Sequence, residues 1–520
     1  MPFRLALTAA LTLAFSLEHS SVTCATFPLE TSLTAPVATS ACKAWRDTTQ
    51  SANYTWFTTS SVRDDSQIYP GDQSRLRGAI RRFQNGGNLS IGFLGGSLTA
   101  GFGKNDAYNY VEWTSMILEA HLGPRVKVFN GGLGGAPSSY MEVCSKMHIP
   151  VYADIIVAEF NVNDESNPSP PVDNVARRSF ERMLRKLLDY PNKPAVIILN
   201  AFRWFKTFSG ETPYDGQYHH PSAEKDFNEL AAYYRLPVLS VRSACYHLIA
   251  AGVEGYRVDE CRSVQCGNHN LYNDDTRPAR NKGHVFYNDG VHPDGNTGYR
   301  AMGEFVTQLI LDAAASIAQG PDTKFFDEQA SLTPLPRSML PGNYETQHDS
   351  CYNGQAFQEI VTSHDGWAWT DEGRGGTHKL GFVTLEPGRV LRCRLDMTPP
   401  AMSDRTESRA VFAELAILKS YEHMGKATVT CEGGCTCEPT ALNGAHELKQ
   451  SIIVMEKVML SSTGQGDCSL VITTTKESDS GEHKFKVLAV IVSEASASSG
   501  FWMHNQLGSA MMDGQVNGIE

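Results

Sequence analysis

Ser97 stands at the end of the apolar run Ile91-Gly92-Phe93-Leu94, directly after Gly95 and Gly96. A strand over residues 89–94 that stops at glycines can turn tightly and lift a single hydroxyl to the carboxyl edge of a sheet, where open α/β sheets carry their chemistry. A serine hydroxyl is a poor nucleophile at neutral pH and needs a base. The segment Asp289-Gly290-Val291-His292-Pro293 supplies an acid and an imidazole three residues apart, a spacing that lets both side chains point the same way in a turn or one helical coil. The carboxylate would fix the imidazole tautomer, and the neutral imidazole would take the Ser97 proton. Two more loops follow apolar runs: Phe129-Asn130-Gly131-Gly132-Leu133-Gly134-Gly135-Ala136 and Glu159-Phe160-Asn161-Val162-Asn163-Asp164. Gly135 offers a backbone N–H and Asn163 a carboxamide to a developing oxyanion, and losing one such donor typically raises a barrier by roughly 3 kcal/mol. The plainer alternative makes all of these residues tight-turn punctuation.

In this order the four segments resemble the four blocks of the SGNH hydrolases, also called the GDSL esterase and lipase superfamily, over residues 88–315. The resemblance implies a nucleophile at Ser97, an acid and base at Asp289 and His292, and oxyanion donors at the Ser97 N–H, Gly135 and Asn163. It implies no cofactor and no metal. Two departures stand out: Gly-Asp-Ser-Leu reads Gly95-Gly96-Ser97-Leu98, and Gly-x-Asn-Asp reads Asn161-Val162-Asn163-Asp164.

The elements that must position these residues alternate. Strands are expected at 89–94, 126–129, 154–160, 195–199 and 237–239, with helices at 111–122, 138–147, 175–188 and 224–234 between them. Strand followed by helix, repeated, predicts a parallel sheet with helices on both faces, a three-layer α/β/α fold of flavodoxin-like type. Met302, Phe305, Val306, Leu309, Ile310 and Ala313 recur at helical spacing just after the Asp289–His292 loop and should pack it against the sheet. The connection 202–221, with His219 and His220, and the insertion 252–283, with Cys261 and Cys266, are candidates to rim the site.

The rest of the chain divides around this domain. Residues 1–25 carry Arg4, an apolar run and small residues near Ala25, the pattern of a secretory signal peptide. Residues 26–87 read as an irregular leader, 88–319 as the catalytic domain, 320–344 as a proline-bearing linker and 501–520 as a tail. Between them, residues 345–500 carry β-rich runs at 379–385, 390–395, 410–418, 427–431, 451–460, 468–474 and 483–492, which predict an antiparallel β-sandwich. Its segment from Leu418 to Cys437 is similar to C-terminal regions of secreted SGNH-type proteins of algae and protists. Trp367, Trp369 and Tyr421 form either a sugar-stacking platform or part of the sandwich core.

Composition narrows the function classes. In 520 residues with a net charge of −12, lysine and arginine are scattered, so nothing marks a nucleic-acid partner. No segment after the first offers 18 uninterrupted apolar residues, which excludes an evident stable membrane span. Twelve cysteines fit an oxidising compartment, and cleavage after Ala25 would remove Cys24 and leave an odd number. The cluster Cys431, Cys435 and Cys437 lacks a fourth ligand at zinc spacing and reads as disulfide-forming. Sequons begin at Asn53 and Asn88. These readings converge on a secreted serine ester hydrolase, with O-acetylated glycans as the expected substrate class. A glycan acyltransferase differs from it in whether a sugar hydroxyl competes with water for the acyl group. A non-catalytic glycan- or cell-wall-binding protein would have little physical reason to keep Ser97, Gly135, Asn163, Asp289 and His292 together.

Overall fold

The computed structural model describes residues 54–164, 170–171, 173–203, 222–258, 261–262, 285–343, 345, 349–372, 380–397, 411–446, 452–462 and 467–494. The expected signal peptide, the leader as far as residue 53, His219, His220, Cys24, Cys42, Cys266 and the tail lie outside the described residues.

The first domain is built on a six-stranded sheet of β1 (Gln67–Tyr69), β2 (Leu89–Gly95), β3 (Val126–Asn130), β4 (Ile155–Glu159), β5 (Ala195–Asn200) and β6 (Val238–Ser240), in the order β1-β6-β5-β4-β2-β3. The five strands β2 to β6 are parallel, and β1 adds an antiparallel edge. Successive side chains of a strand face opposite ways, and the core divides accordingly. Ile91, Phe93, Ile155, Val157, Ile197 and Leu199 join one buried cluster, with the helices Tyr110–Leu122 and Gly298–Gln319. Leu94, Ile156, Ala158, Val196 and Ile198 join the other, with the helices Ser138–His148, Val175–Leu188 and Glu224–Tyr233. The chain runs from β2 outward to β3 and returns to the other side of β2 as β4. Strand order therefore reverses between β2 and β4, and the crevice at their carboxyl ends is the place where such sheets bind ligands. Gly298–Gln319 is apolar and long enough to cross a membrane, but it is a core helix in which Met302, Phe305, Val306 and Ile310 are at most 1% exposed.

Two expectations are corrected. The described part of the leader, from Tyr54, contains the helices Ser60–Ser66 and Ser74–Gln84. Leu76, Ala79, Ile80 and Phe83 of the second are buried at helical spacing, between arginines that reach out to partners. The leader is bound to the core helix through buried Glu304, whose carboxylate accepts from Tyr54 Oη (2.7 Å), Phe57 N (2.6 Å) and Thr58 N (2.8 Å). The proline-bearing linker contains the helix Lys324–Leu332, held because buried Asp327 pairs with Arg77 (2.8 Å) and Arg81 (3.2 Å).

The second domain is the expected sandwich. Its seven-stranded sheet centres on Val411–Lys419, paired with Ile452–Ser462 and Phe485–Glu494, and its five-stranded sheet on Cys468–Thr474, paired with Val390–Leu395 and Lys426–Gly433. Disulfides Cys431–Cys437 and Cys435–Cys468 staple it. Trp367 is a core residue that meets Phe485 edge-on, Trp369 is partly buried and packs on Phe357 and Phe382, and Tyr421 is exposed. The sandwich continues the second core cluster of the catalytic domain through Ala416, Met455, Ala489 and Ile491. Disulfide Cys144–Cys351 joins the two domains covalently.

Candidate active site

At the end of β2 the chain turns into a four-residue helix, Ser97–Ala100, with Gly96 at its N-cap. Both glycines are required by what lies against them. A Cβ at Gly95 would sit 1.9 Å from Thr99 Oγ1, and one at Gly96 would sit 2.1 to 2.6 Å from the Asn163 carboxamide atoms. The second contact means that any side chain at position 96 would displace the Asn163 carboxamide from where it lies. It also sets the Asn163 amide beside Ser97, where its buried Oδ1 has no hydrogen-bond partner among the described residues.

Asp289 and His292 lie in a tight loop rather than a helix. One Asp289 oxygen accepts the backbone N–H of Val291 (2.8 Å) and of His292 (2.7 Å), and the other lies 2.8 Å from His292 Nδ1. His292 Nε2 lies 2.8 Å from Ser97 Oγ. Burial pushes the Asp289 carboxyl up, but the hydrogen bond and charge of His292 and the two loop N–H groups outweigh it and hold it below its ordinary value. The acid loop is docked on the nucleophile loop at three points. Asn105 Nδ2 donates to Asn288 Oδ1 (2.8 Å), Gly103 packs on His292 Cβ, and Arg262 bridges Asp106 (2.7 Å) and Asp294 (3.1 Å).

The loop bearing Gly135 rides on the same turn. Gly131 N donates to Phe93 O (2.8 Å), Leu133 N donates to Gly95 O (3.0 Å), and a Cβ at Gly132 would fall 2.3 Å from Ala100 N. Gly135 has φ +78°, a left-handed conformation that favours glycine. Asp164 caps the helix that follows, accepting from Ser138 N (2.8 Å) and Ser138 Oγ (2.5 Å), and burial raises its carboxyl to about 6. Asn161, where the pattern has glycine, is fully buried and exchanges two hydrogen bonds with the Ala201 backbone, at 2.9 and 2.8 Å. That pairing ties the Asn163 loop to the end of β5.

The structure thus brings Ser97, Asp289, His292 and Asn163 together, with the Gly135 loop seated on the Ser97 turn. It adds residues that the sequence reading passed over. Glu159, 0% exposed, lies beneath the turn and accepts from Thr99 Oγ1 (3.1 Å) and from the N–H groups of Gly96 and Thr99. Burial pushes its carboxyl up to about 8 against those donors, with the nearby Asp164 charge adding to the rise. Tyr110 Oη lies 2.7 Å from the same Thr99 hydroxyl, and Asn130 Nδ2 donates to Thr99 O (2.9 Å). An acid closing the apolar run Ile155-Ile156-Val157-Ala158 was the one visible signal for Glu159. Among the described residues no group of three or more His, Cys, Asp or Glu side chains is arranged to hold a metal ion.

Residues 93–301 match the GDSL-like lipase/acylhydrolase family. No curated protein matches the chain. The fold is similar to the crystal structure of a two-domain esterase, CEX, active on acetylated mannans, at 17% identity over 84% of this chain and 99% of that one, TM-score 0.54. A structure of such an esterase co-crystallized with mannopentaose is similar at 16% identity over 84% and 98%, TM-score 0.54.

Proposed function

From a catalytic domain that belongs to the GDSL-like lipase/acylhydrolase family, in a protein that is an ester-hydrolysing enzyme, we propose a secreted carbohydrate O-acetylesterase that works through an acyl-enzyme on Ser97. The observation that carries the reading is the continuous relay from Asp289 through His292 to Ser97, with both side-chain contacts at 2.8 Å. His292 Nε2 takes the Ser97 proton as Oγ attacks the acyl carbonyl, and Asp289 holds the Nδ1–H and balances the imidazolium that forms. The Ser97 N–H, the Gly135 N–H and the Asn163 carboxamide receive the negative charge that develops on the carbonyl oxygen. His292 returns the proton to the leaving alcohol, and water then repeats the sequence to free the acid. No step needs a metal or an organic cofactor.

The glycan assignment is supported by the two-domain esterase of similar fold, whose printed activity is on acetylated mannans. Secretion is supported by the signal-like first 25 residues and by the disulfides. The test is release of p-nitrophenol from acetyl and longer acyl esters by the mature protein and its Ser97→Ala variant. Turnover that disappears in the variant and falls as the acyl chain lengthens is expected. Equal turnover in both proteins would remove Ser97 from the chemistry.

A further inference from the structure

One side chain at the relay has no part in the proton transfers. Phe102 is 53% exposed, yet its backbone is pinned on both sides. Its N–H donates to Ser97 O (3.0 Å) and its carbonyl accepts from Tyr299 Oη (2.6 Å). Gly101 and Gly103, at φ +94° and +78°, bracket it, and a Cβ on Gly103 would come within 2.8 Å of His292 Cβ. This glycine pair lets the chain reverse around the ring while staying against the base. The Phe102 ring is stacked on the His292 imidazole, with centroids 5.9 Å apart and planes at 28°. It extends to the Gly134 backbone, where a Cβ would be 3.2 Å from its Cε2 and Cζ.

We infer that Phe102 is the platform on which the sugar ring of the alcohol half of the ester stacks, an assignment that rests on the glycan-ester reading above. His292 must face the departing alcohol to return its proton, so a ring laid against that imidazole borders the alcohol side. Of the oxyanion donors, the Asn163 carboxamide lies over Gly96. A pyranose presents a face of C–H bonds made electron-poor by the neighbouring oxygens, and this face meets the negative face of an aromatic ring favourably. A ring already held in place by its backbone loses little freedom on binding.

The experiment compares glucose pentaacetate with ethyl acetate, two acetyl esters that differ in the alcohol, in the wild type, Phe102→Ala and Phe102→Tyr. In Phe102→Ala the ratio of kcat/KM for the sugar ester to that for ethyl acetate should fall at least tenfold, about 1.4 kcal/mol, mostly through KM. Phe102→Tyr, which keeps the ring, should restore the ratio. An equal loss on both esters in Phe102→Ala would overturn the platform and leave the ring as packing for His292. A change in preference between ethyl acetate and ethyl butyrate, with the sugar ratio unchanged, would overturn it by placing the ring on the acyl side. A wild type that cleaves ethyl acetate but not glucose pentaacetate would instead remove the glycan reading, and the platform with it.

Discussion

At the junction between the domains, Glu142 is buried between Arg182 (2.6 Å) and Lys186 (3.2 Å), while beneath Ser97 Glu159 is buried among a hydroxyl and backbone N–H groups. Burial pushes both carboxyls up. At Glu142 the two cations outweigh it and hold the group below its ordinary value, whereas Glu159 is pushed up to about 8. The junction carries its charges onward, since Lys186 also pairs with Asp349, Asp349 accepts from Ser493 Oγ (2.8 Å), and Arg182 donates to Asn343 Oδ1 (2.9 Å). Around the nucleophile, Glu159 Oε1 and Asn163 Oδ1 find no partner among the described residues. The junction is built for one fixed docking geometry, which a buried ion network specifies when each charge is paired. The turn leaves two acceptor oxygens unpaired, and a neutral Glu159 avoids setting a negative charge beside a site that must accept one.

The contrast can be broken most severely at the nucleophile. Ser97→Ala should lower kcat on p-nitrophenyl acetate by a factor on the order of 10⁴ or more and leave the thermal unfolding temperature near the wild-type value. A large fall in unfolding temperature would mean that the hydroxyl is structural. The junction should show the reverse. Arg182→Ala removes a fully buried partner of Glu142 and should destabilise the protein by about 3 kcal/mol or more, read by denaturant unfolding, with kcat/KM at 25 °C within twofold of wild type. Replacing Cys144 and Cys351 together by serine opens a link with a sequence separation of 207 residues and should remove about 2–4 kcal/mol. Unfolding in two separated steps would then show that the disulfide couples the domains.

The last test sharpens the comparison through pH. Glu159 binds its proton more tightly folded, with a value near 8, than unfolded, where it takes the ordinary 4.5. Its stabilising contribution is therefore complete below about 4.5 and is lost as pH rises toward 8, with a slope of at most about 1.4 kcal/mol per pH unit from this one group. Unfolding temperatures at pH 5 and pH 8 should converge in Glu159→Gln relative to wild type. Parallel behaviour of the two proteins would place the carboxylate, not the acid, beneath the turn at neutral pH.

Much of this architecture was open to a reading of local pattern. The strands over 89–94, 126–129 and 195–199 appear where apolar runs stop at glycine or asparagine, and each of the seven expected runs of the sandwich holds a strand, while short strands such as Val361–Asp365 and Thr440–Asn443 fall outside them. Short, charged elements were harder. The helix Ser74–Gln84 hides four buried apolar side chains among four arginines, and Lys324–Leu332 hides between prolines and polar residues. Each is stabilised by partners far along the chain, Asp327 for the first and Arg77 with Arg81 for the second, which no window of neighbouring residues contains.

The sequence by itself determined the chemistry on offer: a serine on a glycine turn, an acid and imidazole three residues apart, and a carboxamide after a buried strand. These depend on residue type and near neighbours. Tertiary structure decided that Ser97 meets His292 across 195 residues, that Asn163 occupies the place of a side chain at position 96, and that Glu159 is raised to about 8. Those outcomes depend on the reversal of strand order between β2 and β4 and on close packing at their carboxyl ends. Distance and burial are properties of the folded chain, and no run of adjacent residues encodes them.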